Sequence, residues 1–252
     1  MRKLILAAAS GAAILLLGAG IAAAAGAIPA YVDSAVADPG RSDADRARDV
    51  NRKPADVLAF AGVKPGQKVG ELIPGGGYYT KLLSDVVGAS GHVYALWPAG
   101  FAKMRPQLLE ASGKVAPNVT AVTYEGNALN FPEKLDLFWT SENYHDLHNA
   151  GPGGGPPPDV GGFNKAVFAA LKPGGVYLIE DHAAAAGAGP GVTSTMHRID
   201  PAQVKSEVEA AGFKLVGESD VLKNPADPHT DAVANPAIRG HTDKLLFKFR
   251  KP

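Results

Sequence analysis

The apolar and polar residues of this chain change repeatedly between the spacing of a strand and that of a helix. Short apolar runs bounded by glycine, proline or polar residues predict buried strands, and apolar residues three and four apart predict helices. The predicted strands lie at residues 68–73, 92–96, 119–124, 134–140, 174–180, 213–222 and 243–250. The predicted helices lie at residues 78–87, 99–112, 161–171 and 201–211. This alternation indicates an α/β domain whose sheet is mostly parallel.

The C-terminal part of the chain departs from this alternation. The runs "GFKLVGESDVL" and "DKLLFKFR" are both strand-like, and no segment with helical periodicity separates them. Two strands without an intervening helix are usually joined as an antiparallel pair. We therefore expect one antiparallel strand in the sheet.

The region ahead of the first strand is expected to contain a linker followed by helices. Residues 31–41 are small, polar and aperiodic, which is typical of a linker. Ser42 and Asp45 can cap a helix, and Pro54 fits the first turn of a second one. These helices would form a lid or brace before the first strand, so the predicted domain spans residues 42–252.

The N-terminus has the pattern of an export signal. Arg2 and Lys3 precede an apolar run to about Ala25, and small residues then offer cleavage positions. Residues 1–30 are therefore predicted to be a signal peptide, or an uncleaved anchor, since the run is long enough to span a bilayer. The remainder of the chain is expected to be exported or periplasmic, with membrane contact only through this segment if it is uncleaved.

Composition narrows the classes of partner and site. The 252 residues include 25 basic and 25 acidic side chains without a dense basic block, so a nucleic-acid partner is not expected. Cysteine is absent, which excludes disulfides, thiolate metal sites and cysteine nucleophiles. A small-molecule substrate remains the expected partner.

One glycine-rich loop lies where α/β sheets bind ligands. In "VGELIPGGGYYT", Glu71 ends the first predicted strand, and Gly75, Gly76 and Gly77 precede a predicted helix. Glycines there allow close approach of a ligand, and the free N–H groups of a helix start favour a carboxylate or phosphate. A tight turn without a ligand is the alternative interpretation.

Several motifs in order resemble those of class I S-adenosylmethionine-dependent methyltransferases. They are the glycine loop, "EGNALNFP", "KLDLFWTSENYHDL" and "AALKPGGVYLIED". More narrowly, "NYHDLH", "LIEDHAA", "HRID" and "NPAIRG" resemble a group of exported bacterial methyltransferase-like proteins. The resemblance implies a Rossmann-like fold with helices on both faces and a seven-stranded sheet of order 3-2-1-4-5-7-6, with strand seven antiparallel.

The resemblance also implies residues that bind S-adenosylmethionine. Glu71 would lie near the ammonium group or the ribose, and the N–H groups of Gly75, Gly76 and Gly77 near the carboxylate. Asn127 would read the adenine edge, or else be a turn residue, and Asn143 lines the mouth of the cleft.

Two residues depart from the family pattern. Ile73 replaces the first glycine of the loop. Trp97 stands where most members have an acid that binds the ribose hydroxyls. Trp97 would either stack on the cofactor or fill the pocket.

Catalytic candidates follow the fourth and fifth strands. His145 and Asp146 come first, and Asp181 and His182 should converge on the same rim. Methyl transfer to oxygen or nitrogen requires removal of a proton, for which these side chains are suited. His145 could instead pack beneath the following loop.

A metal site is the alternative use of these residues. His145, Asp181, His182 and His197 could bind zinc or iron, although no compact metal-binding motif is present and the favoured prediction contains no metal. Arg198 would then lie on the rim or in solvent. Arg239 would bind an anion or lie on the surface.

The predicted function is methyl transfer from S-adenosylmethionine to a small molecule. The alternative is an exported binding protein, or pseudo-enzyme, that retains the fold without catalysis. Export favours the alternative because the methyl donor is made in the cytoplasm, whereas Glu71, Gly75 and Gly77 favour the enzyme. A metal-dependent hydrolase would rest on the histidines alone.

Overall fold

The computed structural model describes residues 27–151 and 156–252, and most of the predicted signal segment lies outside these ranges. The strands are β1 (Lys68–Leu72), β2 (His92–Pro98), β3 (Val119–Tyr124), β4 (Leu135–Ser141), β5 (Leu171–His182), β6 (Lys214–Glu218) and β7 (Lys244–Arg250). All seven coincide with predicted strands. The predicted strand at 213–222 is too long, because the chain leaves the sheet after Glu218.

Helices occupy the connections between the strands. They are α1 (Ala30–Val36), α2 (Asp43–Arg52), α3 (Pro54–Ala61), α4 (Tyr78–Val87), α5 (Ala99–Met104), α6 (Pro106–Gly113), α7 (Val160–Ala170), α8 (Val192–Met196) and α9 (Pro201–Ala210). A 3₁₀ helix spans His145–His148. Ser42 caps α2 by accepting from the backbone N–H of Asp45, as its spacing predicted.

The strands form one sheet of order β3-β2-β1-β4-β5-β7-β6. Strands β1 to β5 are parallel to one another, and β7 runs antiparallel to both β5 and β6. This confirms the predicted fold, including the strand order and the antiparallel strand. The carboxyl ends of β1, β4 and β5 therefore meet at one edge of the sheet, where α/β folds bind ligands.

The sheet is covered on both faces by apolar side chains. One buried cluster includes Val57 and Leu58 of α3 and Leu82 of α4. The cluster on the other side includes Phe163 of α7 and Val208 of α9. Because both faces are buried, the central strands are nearly continuous apolar runs, as expected for a parallel sheet.

Residues 31–41, predicted as a linker, instead begin with α1. Val32 and Ala35 are buried in the core, and α1 contacts α3 and α4. A seven-residue helix has little stability by itself, so tertiary packing holds it. The structured part of the domain thus begins before residue 42.

The predicted helix at 99–112 is two helices. The chain breaks at Arg105, which has non-helical φ and ψ of −131° and 56°. Pro106 follows and disfavours a helical conformation in the residue before it. Among the residues that the structure describes, no helix has the length and apolar character needed to cross a bilayer.

Candidate functional site

The glycine loop joins the carboxyl end of β1 to the start of α4. Gly75 and Gly77 have φ of +61° and +82°, a conformation that favours glycine. A Cβ atom built at Gly75 or Gly76 would meet no atom within 4 Å. The loop therefore leaves open space beside its backbone, which a ligand can enter.

Glu71 lies directly beneath this loop and is almost fully buried. Its Oε2 atom has no hydrogen-bond partner, and burial raises the pKa of its carboxyl group to about 7. A buried polar atom without a partner is costly and uncommon in folded proteins. Its carboxylate is thus available to a cationic group that enters the site.

Two cavities meet at the glycine loop. The large cavity, about 720 Å³, is lined by Ile73, residues 98–101, residues 124–127, Asp146, Leu147 and residues 156–159, among others. The small cavity, about 220 Å³, is lined by Arg48, Arg52, residues 71–76, Tyr78, Tyr79 and residues 141–143. Ile73 belongs to both linings and so stands between the two cavities.

Ile73 has a strained backbone. Its φ of +47° lies in the left-handed region, which a β-branched residue rarely adopts. It replaces the glycine that the resemblance implies at this position. The conformation that glycine would adopt freely is therefore retained, although the side chain differs.

Helix α2 contributes two arginines that the sequence analysis did not assign to the site. Arg48 and Arg52 are four residues apart, so they lie on the same face of α2. Their guanidinium groups lie 4.7 and 4.8 Å from the ring centroid of Tyr78, at the start of α4. Tyr78 in turn donates to Asp49 at 2.6 Å, which fixes α2 against α4. The i, i+4 arginine spacing was the available sequence signal.

Two residues of the small-cavity lining, Arg52 and Glu142, belong to a buried ionic group. Glu142 binds Arg52 and Lys244 at 2.6 Å each, and Lys244 also lies 3.3 Å from Glu180. Burial alone would raise the pKa of Glu142, but Lys244 and Arg52 outweigh it and lower the pKa. The two cations and two carboxylates balance one another within this buried group.

Trp97 does not face either cavity. Its side chain is fully buried, its Nε1 donates to Ser112 Oγ at 2.9 Å, and its ring stacks on Phe101 with centroids 5.3 Å apart. Phe101 lines the large cavity, so Trp97 supports that wall from behind. The prediction that Trp97 stacks on a bound cofactor is not supported by this position.

Asn127 and Asn143 are both near the cavities but differ in their bonding. Asn127 lines the large cavity and donates to the backbone carbonyl of Asp159 at 3.3 Å. Asn143 Nδ2 lies 3.2 Å from the carbonyl oxygen of Leu72 and 3.1 Å from that of Ile73. Asn143 thus holds the glycine loop against β4, a positioning role.

His145 and Asp181 form a buried pair, as expected of residues at neighbouring strand ends. The Nδ1 of His145 lies 2.8 Å from Asp181 Oδ1, and the backbone N–H of His145 donates to Oδ2 at 2.7 Å. Burial alone would lower the pKa of His145, but the Asp181 carboxylate outweighs it and raises the pKa to about 9. The Nε2 of His145 is within hydrogen-bond distance of His197 Nδ1, at 3.2 Å, and lies 3.4 Å from Asp146 Oδ1.

His182 and Arg198 have other partners. His182 Nδ1 is 2.7 Å from Thr242 Oγ1, and burial lowers the pKa of His182 to about 4. Arg198 is fully buried and forms a bidentate ion pair with Asp227, with hydrogen bonds of 2.9 and 3.0 Å. Both predictions for Arg198, a rim position and a solvated one, are therefore wrong. Arg239 is exposed.

Solved structures of methyltransferases have a similar fold. No protein-family model matches the sequence, and a search of curated proteins gave no match. A SAM-dependent methyltransferase from Aquifex aeolicus is similar at 18% identity, over 84% of this chain and all of that one, with a TM-score of 0.55. One from Mesorhizobium loti is similar at 16% identity, over 81% and 100% of the two chains, with a TM-score of 0.55.

A solved structure of a protein with a different activity is also similar to this chain. The [4+2]-cyclase SpnF is similar at 17% identity, over 86% of this chain and 85% of that one, with a TM-score of 0.52. At such identities the comparisons show the fold alone, and function depends on the residues at the site. The chain has the Rossmann-like fold of the class I SAM-dependent methyltransferases.

Proposed function

We propose that this chain binds S-adenosylmethionine and methylates a small molecule. The observation that carries the proposal is the open space at Gly75 and Gly76 together with the buried carboxyl group of Glu71, whose Oε2 atom has no hydrogen-bond partner, in the lining of the same small cavity. A ligand with both an ammonium and a carboxylate group, as in an amino acid, matches Glu71 on one side and backbone N–H groups on the other. When bound, S-adenosylmethionine supplies an electrophilic methyl group.

The residues fit the amino-acid end of this cofactor better than its ribose. The end of β2 offers Pro98 and the buried Trp97, neither of which supplies a carboxylate. The carboxylates that line the large cavity are those of Glu125, Asp146 and Asp159. We infer that hydroxyl groups of the ligand would be bound by these side chains instead of by an acid at the end of β2.

The rim beside the large cavity would prepare the methyl acceptor. Asp146 and His145, whose Nδ1 is held by Asp181, remain the candidates for removing a proton from the acceptor. Because the pKa of His145 is about 9, its ring can act as a base only in the neutral form, which is favoured above that pH. His182 is less suited, because its ring is partly buried and its Nδ1 is bonded to Thr242. An acceptor bearing an oxygen or nitrogen nucleophile fits this arrangement.

Calorimetric titration of the purified full-length chain with S-adenosylmethionine and S-adenosylhomocysteine tests the proposal. Gly76→Val should abolish binding, because the new side chain would fill the open space beside the loop. The φ of Gly76 is not positive, so valine should not strain the backbone. Gly189→Val is the matched control, since Gly189 is also unstrained and has no atom within 4 Å of a built Cβ. It should bind like the original chain.

Two results would contradict the proposed methyltransferase function. Absence of heat and of any thermal shift at millimolar ligand would leave the exported binding protein as the better explanation. Equal binding by Gly76→Val and by the original chain would place the ligand elsewhere.

We also propose that the chain is exported, because Arg2 and Lys3 precede the apolar N-terminal run. A fusion of residues 1–40 to a reporter that is active only outside the cytoplasm should be active. Cleavage after Ala25 or Ala27 would leave α1 intact, whereas cleavage after Ala30 would remove its first residue. An inactive reporter, with the fusion protein present in the cytoplasm, would contradict export.

A further inference from the structure

Three side chains that commonly bind metal ions converge beside the large cavity. His145 Nε2 lies 3.2 Å from His197 Nδ1 and 3.4 Å from Asp146 Oδ1. The third side of the triangle, from His197 Nδ1 to Asp146 Oδ1, is 3.7 Å. Each residue thus offers one ligand atom, and the three atoms lie close enough together to share an ion.

These separations match those of a metal coordination shell. Metal–nitrogen and metal–oxygen bonds of about 2.0–2.1 Å in a tetrahedral site place neighbouring ligand atoms about 3.3 Å apart. The three observed distances lie close to that value. An ion could be bound with little movement of the side chains.

Asp181 supplies the outer support that a metal-binding histidine usually has. It holds Nδ1 of His145, which leaves Nε2 as the ligand atom. Asp181 is itself fixed by the backbone N–H groups of His145 and His182, each at 2.7 Å. The orientation of the His145 ring is therefore set from behind.

His197 reaches the cluster through a strained backbone. Its φ is +54°, a left-handed conformation at the end of α8 that non-glycine residues adopt uncommonly. The side chains of His197 and Asp146 are 50% and 40% exposed, so an ion could enter and keep open coordination positions. Strain at this residue is consistent with a functional requirement for its position.

We propose that His145 Nε2, Asp146 Oδ1 and His197 Nδ1 bind a divalent first-row transition-metal ion. Two histidines and one carboxylate with open positions are ligands typical of zinc and non-haem iron sites. This set differs from the predicted alternative, because Asp181 lies behind His145 and His182 bonds to Thr242. Metal binding at this site requires no S-adenosylmethionine, so its test is independent of the test of the proposed function.

An ion here would affect the acceptor side of the proposed reaction. Asp146 also lines the large cavity, so a bound ion would lie at its edge. A metal ion lowers the pKa of a hydroxyl group or water bound to it. With the ion bound, His145 Nε2 and Asp146 Oδ1 would be ligands and not bases, and the ion would promote the proton loss that was assigned above to them.

The test is a titration of the purified, chelator-treated full-length chain with Zn²⁺, without cofactor. We expect saturable binding of one ion per chain. Asp146→Asn and His197→Asn should each weaken it at least about tenfold, and Asp181→Asn by about 10–100-fold. Asparagine tolerates the left-handed conformation of residue 197, so that variant should fold.

His241→Gln is the control for binding to surface histidines, because His241 is exposed and outside the cluster. It should bind Zn²⁺ like the original chain. Co²⁺ gives a second readout, since its visible absorption reports coordination directly and should be lost in His197→Asn. The absence of saturable binding would overturn the proposal. Equal affinity in Asp146→Asn, His197→Asn and the original chain would overturn it as well.

Discussion

Replacing Glu71 with glutamine should change the pH dependence of stability. The pKa of this carboxyl group is about 7 in the folded chain, against a reference value of 4.5, because the group is buried. Between these pH values the unfolded chain has lost the proton and the folded chain retains it. Unfolding then releases a proton, so stability falls as the pH rises.

The size of this change in stability follows from the difference between the pKa of Glu71 in the folded chain and its reference value. A difference of about 2.5 pKa units corresponds to about 3 kcal/mol at 1.36 kcal/mol per unit. This contribution is fully present below about pH 4.5 and is lost as the pH rises through about 7. Glutamine resembles the protonated acid, so Glu71→Gln should match the original chain near pH 4.5 and be more stable by about 3 kcal/mol at pH 8.

Urea unfolding at a series of pH values from 4.5 to 8 measures this difference. The slope m should be the same in both proteins, so the midpoints can be compared. Glu209→Gln is the control, because Glu209 is exposed on α9, and its stability should follow that of the original chain. If the free energies of unfolding of Glu71→Gln and the original chain changed in parallel with pH, the assignment of a buried, protonated acid would be refuted.

Three further predictions concern the same cleft. Binding of S-adenosylhomocysteine at pH 6 should release close to one proton, because its ammonium group favours ionised Glu71; titration in buffers of different ionisation enthalpy measures this, and Glu71→Gln should show no release. Ile73→Gly should tighten binding several-fold by removing the side chain between the two cavities, and unchanged or weaker affinity would contradict this. Trp97→Phe should cost at least about 1 kcal/mol of stability, through loss of the bond to Ser112 and the space left by the smaller ring, yet leave affinity unchanged; a weakened affinity would show that Trp97 contacts the ligand.

The sheet could be predicted because each strand is a separate apolar run with clear boundaries. The strand order came from the resemblance, since residue patterns do not record which strands are neighbours. Helix α1 was missed because "AYVDSAV" has no strong helical pattern and is held by contacts with α3 and α4. The break at Arg105 has a sequence signal in Pro106, because proline disfavours a helical conformation in the residue before it.

The site was predicted only in part, for reasons that differ among residues. Glu71 and the glycines are local in sequence, so one motif identified them. The orientation of Trp97 could not be read from "HVYALWP", because a strand buried on both faces has no alternation to distinguish them. His145 and His197 are separated by 52 positions, and only the path of the loop after β5 brings them together.

Backbone strain in the described part of the chain is concentrated near this edge of the sheet. Five non-glycine residues in the described part of the chain have positive φ. Three of them, Ile73, Glu142 and His197, lie near this edge. Each costs about 1–3 kcal/mol, which the surrounding structure must offset. Ile73 separates the cavities, Glu142 joins Arg52 to Lys244, and His197 completes the cluster with His145. Since the fold is shared with proteins of different activities, these strained residues indicate a specific site more directly than the fold does.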